Sequence, residues 1–188
     1  MRAQGRVARS QGPGAGRRIW LGLGLVVAAG IATIALPTAL RAQEEPVGLA
    51  RGATVPPVQL ADLAGQAVDL GQVIGHKPVL VEFWATWCSN CAALEPRMQA
   101  AFRRHAGQVE FVVVAVGVNQ TLASVQRHVA QHALPASHVL WDGNGAAVRA
   151  FQAPATSYLV VLDRQGKVTY TGVGPDQDIE AALARVGH

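Results

Sequence analysis

The chain has 188 residues, 16 Lys and Arg against 12 Asp and Glu, a formal charge of +4, and two cysteines. That length holds one ordinary domain plus an appendage, and a chain that is 50% hydrophobic and 15% charged is not wholly disordered. Two cysteines exclude a disulfide-dense miniature fold and an all-cysteine zinc ribbon.

Charge is unevenly placed along the chain. Residues 1–42 carry Arg2, Arg6, Arg9, Arg17, Arg18 and Arg41 and no acid, while residues 43–188 carry ten basic residues against all 12 acids, a balance of −2. The basicity therefore belongs to the leader, and no basic patch or aromatic-interleaved stripe argues for nucleic acid. Residues 1–18 read as a basic cytoplasmic N-terminus and residues 19–40 as a transmembrane anchor or signal core. Within the latter, residues 19–36 are uncharged. Positive charge before an apolar run holds the N-terminus in the cytoplasm and sends the remainder of the chain across the membrane. An apolar run of ~18 residues suits a spanning helix, whereas a secretory core is usually ~7–15. Residues 38–43 also offer a small-residue cleavage site after Ala42, and a buried core helix is the remaining reading of the run. In the first two readings the domain folds outside the cytoplasm, where disulfide chemistry is permitted.

Residues 41–57 form a linker, rich in proline and without periodicity. Residues 58–70 predict a short hairpin turning at Ala64 and Gly65. Residues 78–84, apolar on both faces except for Glu82, predict a central strand covered by helices on both sides. A helix comes next over residues 89–105, interrupted by Pro96, then a second buried strand over 109–116. Residues 121–132 have helical spacing, with Leu122, Val125 and Val129 on one face. A strand over 139–141, a turn over 142–145 and a brief helix over 146–151 succeed it. Strands over 158–162 and 167–171 flank a hairpin at Arg164, Gln165 and Gly166, and residues 176–186 close as a helix with an acid-rich first turn. The order implies an α/β layered fold, a central mixed sheet with helices on both faces and an N-terminal β-hairpin.

Both cysteines, Cys88 and Cys91, stand where the first buried strand gives way to a helix, in the run WATWCSNC. At i and i+3 across a helix start they can close a small disulfide ring. The first sulfur then lies near unpaired N–H groups and the positive end of the helix dipole. A thiolate there is stabilised, so Cys88 attacks a substrate disulfide and Cys91 resolves the mixed disulfide. An inert local disulfide is the alternative, and a zinc site is the other; zinc needs about four ligands, which imidazoles would have to supply.

WATWCSNC after KPVLVEF resembles the thioredoxin superfamily, specifically its membrane-anchored, extracytoplasmic TlpA/ResA type. The resemblance runs from about Val55 to Val186, supported by FVVVAVGV, VLWDGNG and LDRQGKV, and it marks residues 58–188 as a thioredoxin-like domain. It implies protein-disulfide oxidoreductase activity without a bound organic cofactor. It also implies a role in keeping exported cysteines reduced, as in cytochrome c maturation, with a membrane electron donor re-reducing the pair. The direction of electron flow is not fixed by the sequence, because the potential depends on how far the Cys88 thiolate is stabilised.

Glu82 lies six positions before Cys88, where thioredoxins place a buried acid. Strand alternation puts Leu80, Glu82 and Trp84 on one sheet face. A buried, unpaired carboxylate has a raised pKa and suits a proton acceptor for Cys91, unless the side chain reaches solvent at the sheet end. Many TlpA-type sequences have Asn there. Trp84 reads as core, and Trp87 as an apolar landing surface for an extended substrate. The family's cis-proline falls about nine residues before the hairpin glycine. Counting back from Gly166 reaches Ser157, while the nearest proline is Pro154. Either Pro154 supplies the cis bond or Thr156 and Ser157 replace it, and Pro154, Thr156 and Ser157 are candidate substrate contacts with Trp87. That proline helps exclude metals in the family. Its displacement leaves open a copper-binding chaperone using the two thiolates as soft ligands.

Six histidines are scattered, and His128 with His132, at i and i+4, reads as a solvated helix pair rather than a ligand pair. A peroxiredoxin match fails because Thr86 stands two, not three, residues before Cys88. No GxSxG elbow supports a hydrolase.

Overall fold

Asp62 makes the first turn: its Oδ1 accepts the N–H groups of Ala64 and Gln66, both at 2.8 Å, and Gly65 takes φ +84 between them. This closes the expected hairpin, β1 (Gln59–Asp62) against β2 (Ala67–Asp69), with Leu60 opposite Val68. The computed structural model describes residues 47–186. The expected basic N-terminus and the apolar segment over 19–40 lie outside the described residues. Among the described residues no helix is long and apolar enough to cross a membrane.

A short helix not foreseen in the sequence, α1 (Leu70–Val73), comes at once, started by Asp69 accepting the Gly71 N–H at 2.9 Å. All six residues of β3 (Val79–Trp84) are buried. Helix α2 (Ser89–His105) runs through Pro96 without a break, contrary to the expected interruption. Proline removes one backbone hydrogen bond, but Leu94, Met98 and Ala101 pin the helix to the sheet on both sides of it. Then come β4 (Glu110–Val116), α3 (Leu122–Gln131) with a Thr121–Ser124 capping box, β5 (His138–Asp142), α4 (Ala146–Ala150), β6 (Tyr158–Leu162) and β7 (Val168–Val173). The last helix, α5 (Ile179–Leu183), is shorter than the expected span. Asp178 is its N-cap, Glu180 is the acid in its first turn, and a 3-10 turn (Ala184–Val186) ends it.

The sheet runs β2-β1-β5-β4-β3-β6-β7. Strands β3, β4 and β5 are parallel, and β6, β7 and the hairpin are antiparallel to their neighbours. Leu80, Phe111, Leu159 and Val161 face α2 and α5, while Val81, Phe83, Val112 and Val160 face the side of α1, α3 and α4. The mixed sheet with helices on both faces thus stands as read from the two-sided apolarity of the strands. The one-face expectation for Leu80, Glu82 and Trp84 does not hold throughout. Trp84, at the strand's end, packs in the same cluster as Phe83, away from Leu80.

Candidate active site

At the end of β3 the chain turns through residues 85–87 into α2, and the turn is laced to the loop after β4. The N–H and Oγ1 of Thr86 both donate to Gln120 Oε1 at 2.9 Å, and Gln120 Nε2 donates to the Val116 carbonyl at 2.6 Å. Trp87 Nε1 donates to the Val118 carbonyl at 2.8 Å. These bonds hold Cys88 at the N-cap of α2, where its sulfur accepts the Cys91 N–H at 3.0 Å.

Cys88 and Cys91 form a disulfide, with Cα atoms 5.3 Å apart. Cys88 is 7% exposed and Cys91 1%, so an incoming thiol or disulfide meets the Cys88 sulfur first. Once the bond is reduced, the same N–H and the positive helix end remain beside Cys88, an environment that favours the thiolate. The Cys91 sulfur lies 4.0 Å from the Phe83 carbonyl oxygen.

Glu82 does not reach solvent. It is 4% exposed, and its pKa is pushed up to about 8, first by burial and second by the charge of Glu95 on α2. A proton is held there near neutral pH, in the middle of a strand whose next turn carries both sulfurs. Trp84 is buried with its ring 5.0 Å from that of His128, and His128 stands 4.8 Å from His132. His132 is exposed as expected, and His128 is half-buried against Trp84. Burial and the neighbouring His132 lower its pKa, with Glu95 acting the other way. His105 instead meets Glu180 at 2.9 Å and His138 approaches Glu110 at 3.8 Å. Among the described residues no group of three His, Cys, Asp or Glu side chains is placed to hold a metal ion.

Trp87, 48% exposed, shares a groove of about 240 Å³ with Val118, Val148, Pro154, Ala155 and Thr156. Pro154 is exposed and Thr156 half-buried on that rim. Ser157, fully buried, is the residue directly before β6, so the position reached by counting back from Gly166 holds serine and not proline. Its N–H donates to the Phe83 carbonyl at 2.7 Å, the carbonyl that Cys91 faces. The structure thus brings Trp87, Pro154 and Thr156 to one groove and buries Glu82 in β3, whereas Ser157, an expected substrate contact, is fully buried with its N–H and carbonyl already engaged. Two residues escaped the sequence reading, Gln120 and Gln177. Gln177 is 7% exposed and donates to the Ser157 carbonyl at 2.9 Å. No spacing signal marks either.

A family model described as Redoxin matches residues 50–186. Among curated proteins, the chain is 29% identical over 145 residues to the thiol-disulfide oxidoreductase ResA of Geobacillus kaustophilus, covering 76% of this chain and 81% of that one. It is 30% identical over 120 residues to the Mercury resistance operon ORF3 protein of Streptomyces lividans, covering 61% and 63%. The fold superposes on a structure described as a thiol:disulfide interchange protein DsbE from Chlorobium tepidum. The TM-score is 0.61 at 28% identity, over 74% of this chain and 99% of that one. The chain belongs to the Redoxin family, as a protein-disulfide oxidoreductase of the thioredoxin superfamily and of TlpA/ResA type.

Proposed function

We propose that the chain reduces disulfides of exported proteins on the outer side of the cell membrane, held there by its apolar leader, and that keeping cysteines reduced for cytochrome c maturation is one such task. The observation that carries the reading is the Cys88–Cys91 disulfide at the N-cap of α2, with Cys88 Sγ on the Cys91 N–H and the enclosed Glu82 in the strand that leads into it.

In the dithiol form, the Cys88 thiolate attacks one sulfur of the substrate disulfide. A Cys88–substrate bond forms, and the displaced substrate sulfur leaves as a thiolate and takes a proton. Glu82, in the minor fraction that is ionised near neutral pH, accepts the proton of the Cys91 thiol, and the resulting thiolate attacks Cys88 Sγ. This releases the second substrate thiol and restores the internal disulfide. Two electrons pass to the substrate for each Cys88–Cys91 bond formed, and a membrane dithiol donor returns them. Trp87, Pro154 and Thr156 form the edge along which an extended substrate segment lies, with Ser157 buried behind it. Reduction rather than oxidation is the direction that the TlpA/ResA resemblance implies.

Insulin-disulfide reduction by the purified protein, with dithiothreitol as the electron source, tests this. Turnover above the dithiothreitol background is expected, with Cys88→Ala inactive and Cys91→Ala trapped as a mixed disulfide. Tight stoichiometric Cu(I) binding without disulfide turnover would instead make the chain a copper carrier. A redox titration of the pair gives the direction, since a potential above that of the exported substrate disulfides would make the protein an oxidant.

A further inference from the structure

Ser157 stands in a backbone conformation that its side chain disfavours. It is fully buried with φ +58, in the left-handed region seldom adopted by residues other than glycine, asparagine and aspartate. Such a residue persists only where its surroundings hold it, and here they do. The Ser157 N–H donates to the Phe83 carbonyl at 2.7 Å. Its carbonyl accepts from Gln177 Nε2 at 2.9 Å and from the Gly174 N–H at 3.3 Å, and its Oγ lies 3.2 Å from the same N–H. Gln177 is committed to this arrangement: Nε2 also donates to the Gly174 carbonyl at 2.8 Å, and Oε1 accepts from the Tyr170 hydroxyl at 3.2 Å. A buried amide with its donors and its acceptor engaged is a fixed strut. The strut leads to chemistry, because the Phe83 carbonyl that takes the Ser157 N–H is the one lying 4.0 Å from the Cys91 sulfur.

We propose that Gln177 is a positioning residue for disulfide exchange: by clamping the buried Ser157 peptide it fixes the edge at residues 154–156 against the Cys88–Cys91 turn. The inference rests on the reading that this edge seats substrate. Without the clamp, Ser157 relaxes towards an ordinary extended conformation. Its N–H and carbonyl then turn away from Phe83 and Gly174, and the groove wall formed by Pro154, Ala155 and Thr156 shifts relative to Trp87. The sulfurs themselves stay at the start of α2, held by the Gln120 and Trp87 hydrogen bonds.

The full chain is compared as wild type, Gln177→Leu, Gln177→Glu, Ser157→Gly and the Gln177→Leu, Ser157→Gly double variant. KM and kcat for insulin reduction are measured beside the rate at which dithiothreitol reduces the Cys88–Cys91 bond. Gln177→Glu keeps the acceptor for Tyr170 and loses the amide donors, so it tests the clamp even where leucine prevents folding. The loss of a buried hydrogen bond predicts a KM about fivefold to tenfold higher in both Gln177 single variants. The small-thiol rate should stay within about twofold of wild type, because dithiothreitol attacks Cys88 Sγ, whose N-cap contact the variants leave in place. Glycine adopts a positive φ without strain, so the Gln177→Leu effect should largely vanish in the Ser157→Gly background. Unchanged KM, an equal KM rise in both backgrounds, or a parallel fall in the dithiothreitol rate overturns the clamp. Wild-type protein without insulin turnover overturns the exchange reading and the clamp with it, which separates the two failures.

Discussion

A carboxyl group enclosed as Glu82 is makes folding depend on pH. Its pKa in the folded protein is about 8, whereas an unfolded chain leaves it near the ordinary value of 4.5. Between those values the folded state holds a proton that the unfolded state has released, so stability falls as pH rises through the window and the loss levels off above the folded pKa. At about 1.4 kcal/mol per unit, Glu82→Gln should stabilise the protein by up to about 4 kcal/mol at pH 8 and hardly at all at pH 4. Urea unfolding at the two pH values measures this, and a gap that does not change with pH would contradict it. The same variant should slow disulfide exchange by about 10²-fold at neutral pH, the usual loss of a positioned proton acceptor. At this scale the sequence showed the two cysteines, because both are spent at one strand-to-helix junction, and the thioredoxin resemblance pointed to Glu82, an acid six positions before Cys88 in an otherwise apolar strand. Gln120 and Gln177 were invisible. They act on residues 34 and 20 positions away, and glutamine has no pattern of its own. Counting found Ser157, but nothing in a serine announces a positive φ.

Elements differ in how firmly they hold the reactive turn. β3 is wholly buried between β4 and β6, while residues 85–87 depend on the Gln120 bridge between Thr86 and Val116. Gln120→Ala should cost about 1 kcal/mol in stability, near the lower end for an unsatisfied partner, since Thr86 is half-exposed and water can replace the lost acceptor. It should also slow exchange, because Cys88 loses its fixed place at the N-cap. Denaturant midpoints read the first effect and insulin turnover the second; unchanged turnover would make the bridge merely structural. Helix α2 was legible apart from its continuity. The rule that proline breaks helices is local, and the packing of Leu94 and Met98 on either side of Pro96 is not. Helix α1 was missed because one turn capped by Asp69 leaves no periodicity to find. The shortening of α5 has a comparable cause, since Asp178 caps the helix where composition alone had extended it.

Across the whole molecule, the strand periodicities and two-sided apolar runs made the layered fold legible. The strand order was not, because pairings such as β1 with β5 join segments some 80 residues apart. Charge is partitioned as sharply as structure, with six arginines in residues 1–42 and a balance of −2 over residues 43–188. The full chain should therefore float with phospholipid vesicles, and residues 43–188 alone should remain in the aqueous fraction. A flotation assay in which the shorter chain rises, or the full chain does not, would refute that division. The Cys88–Cys91 disulfide closes across a sequence separation of only three. A cross-link over so short a loop restrains the unfolded chain by about 2 kcal/mol, against nearly 5 for a loop of about 100 residues. Opening and closing it therefore leaves most of the scaffold's stability untouched. The pair holds two electrons while the bond is open and gives them up as it closes, so the bond is no rivet and the same folded molecule can load and discharge repeatedly.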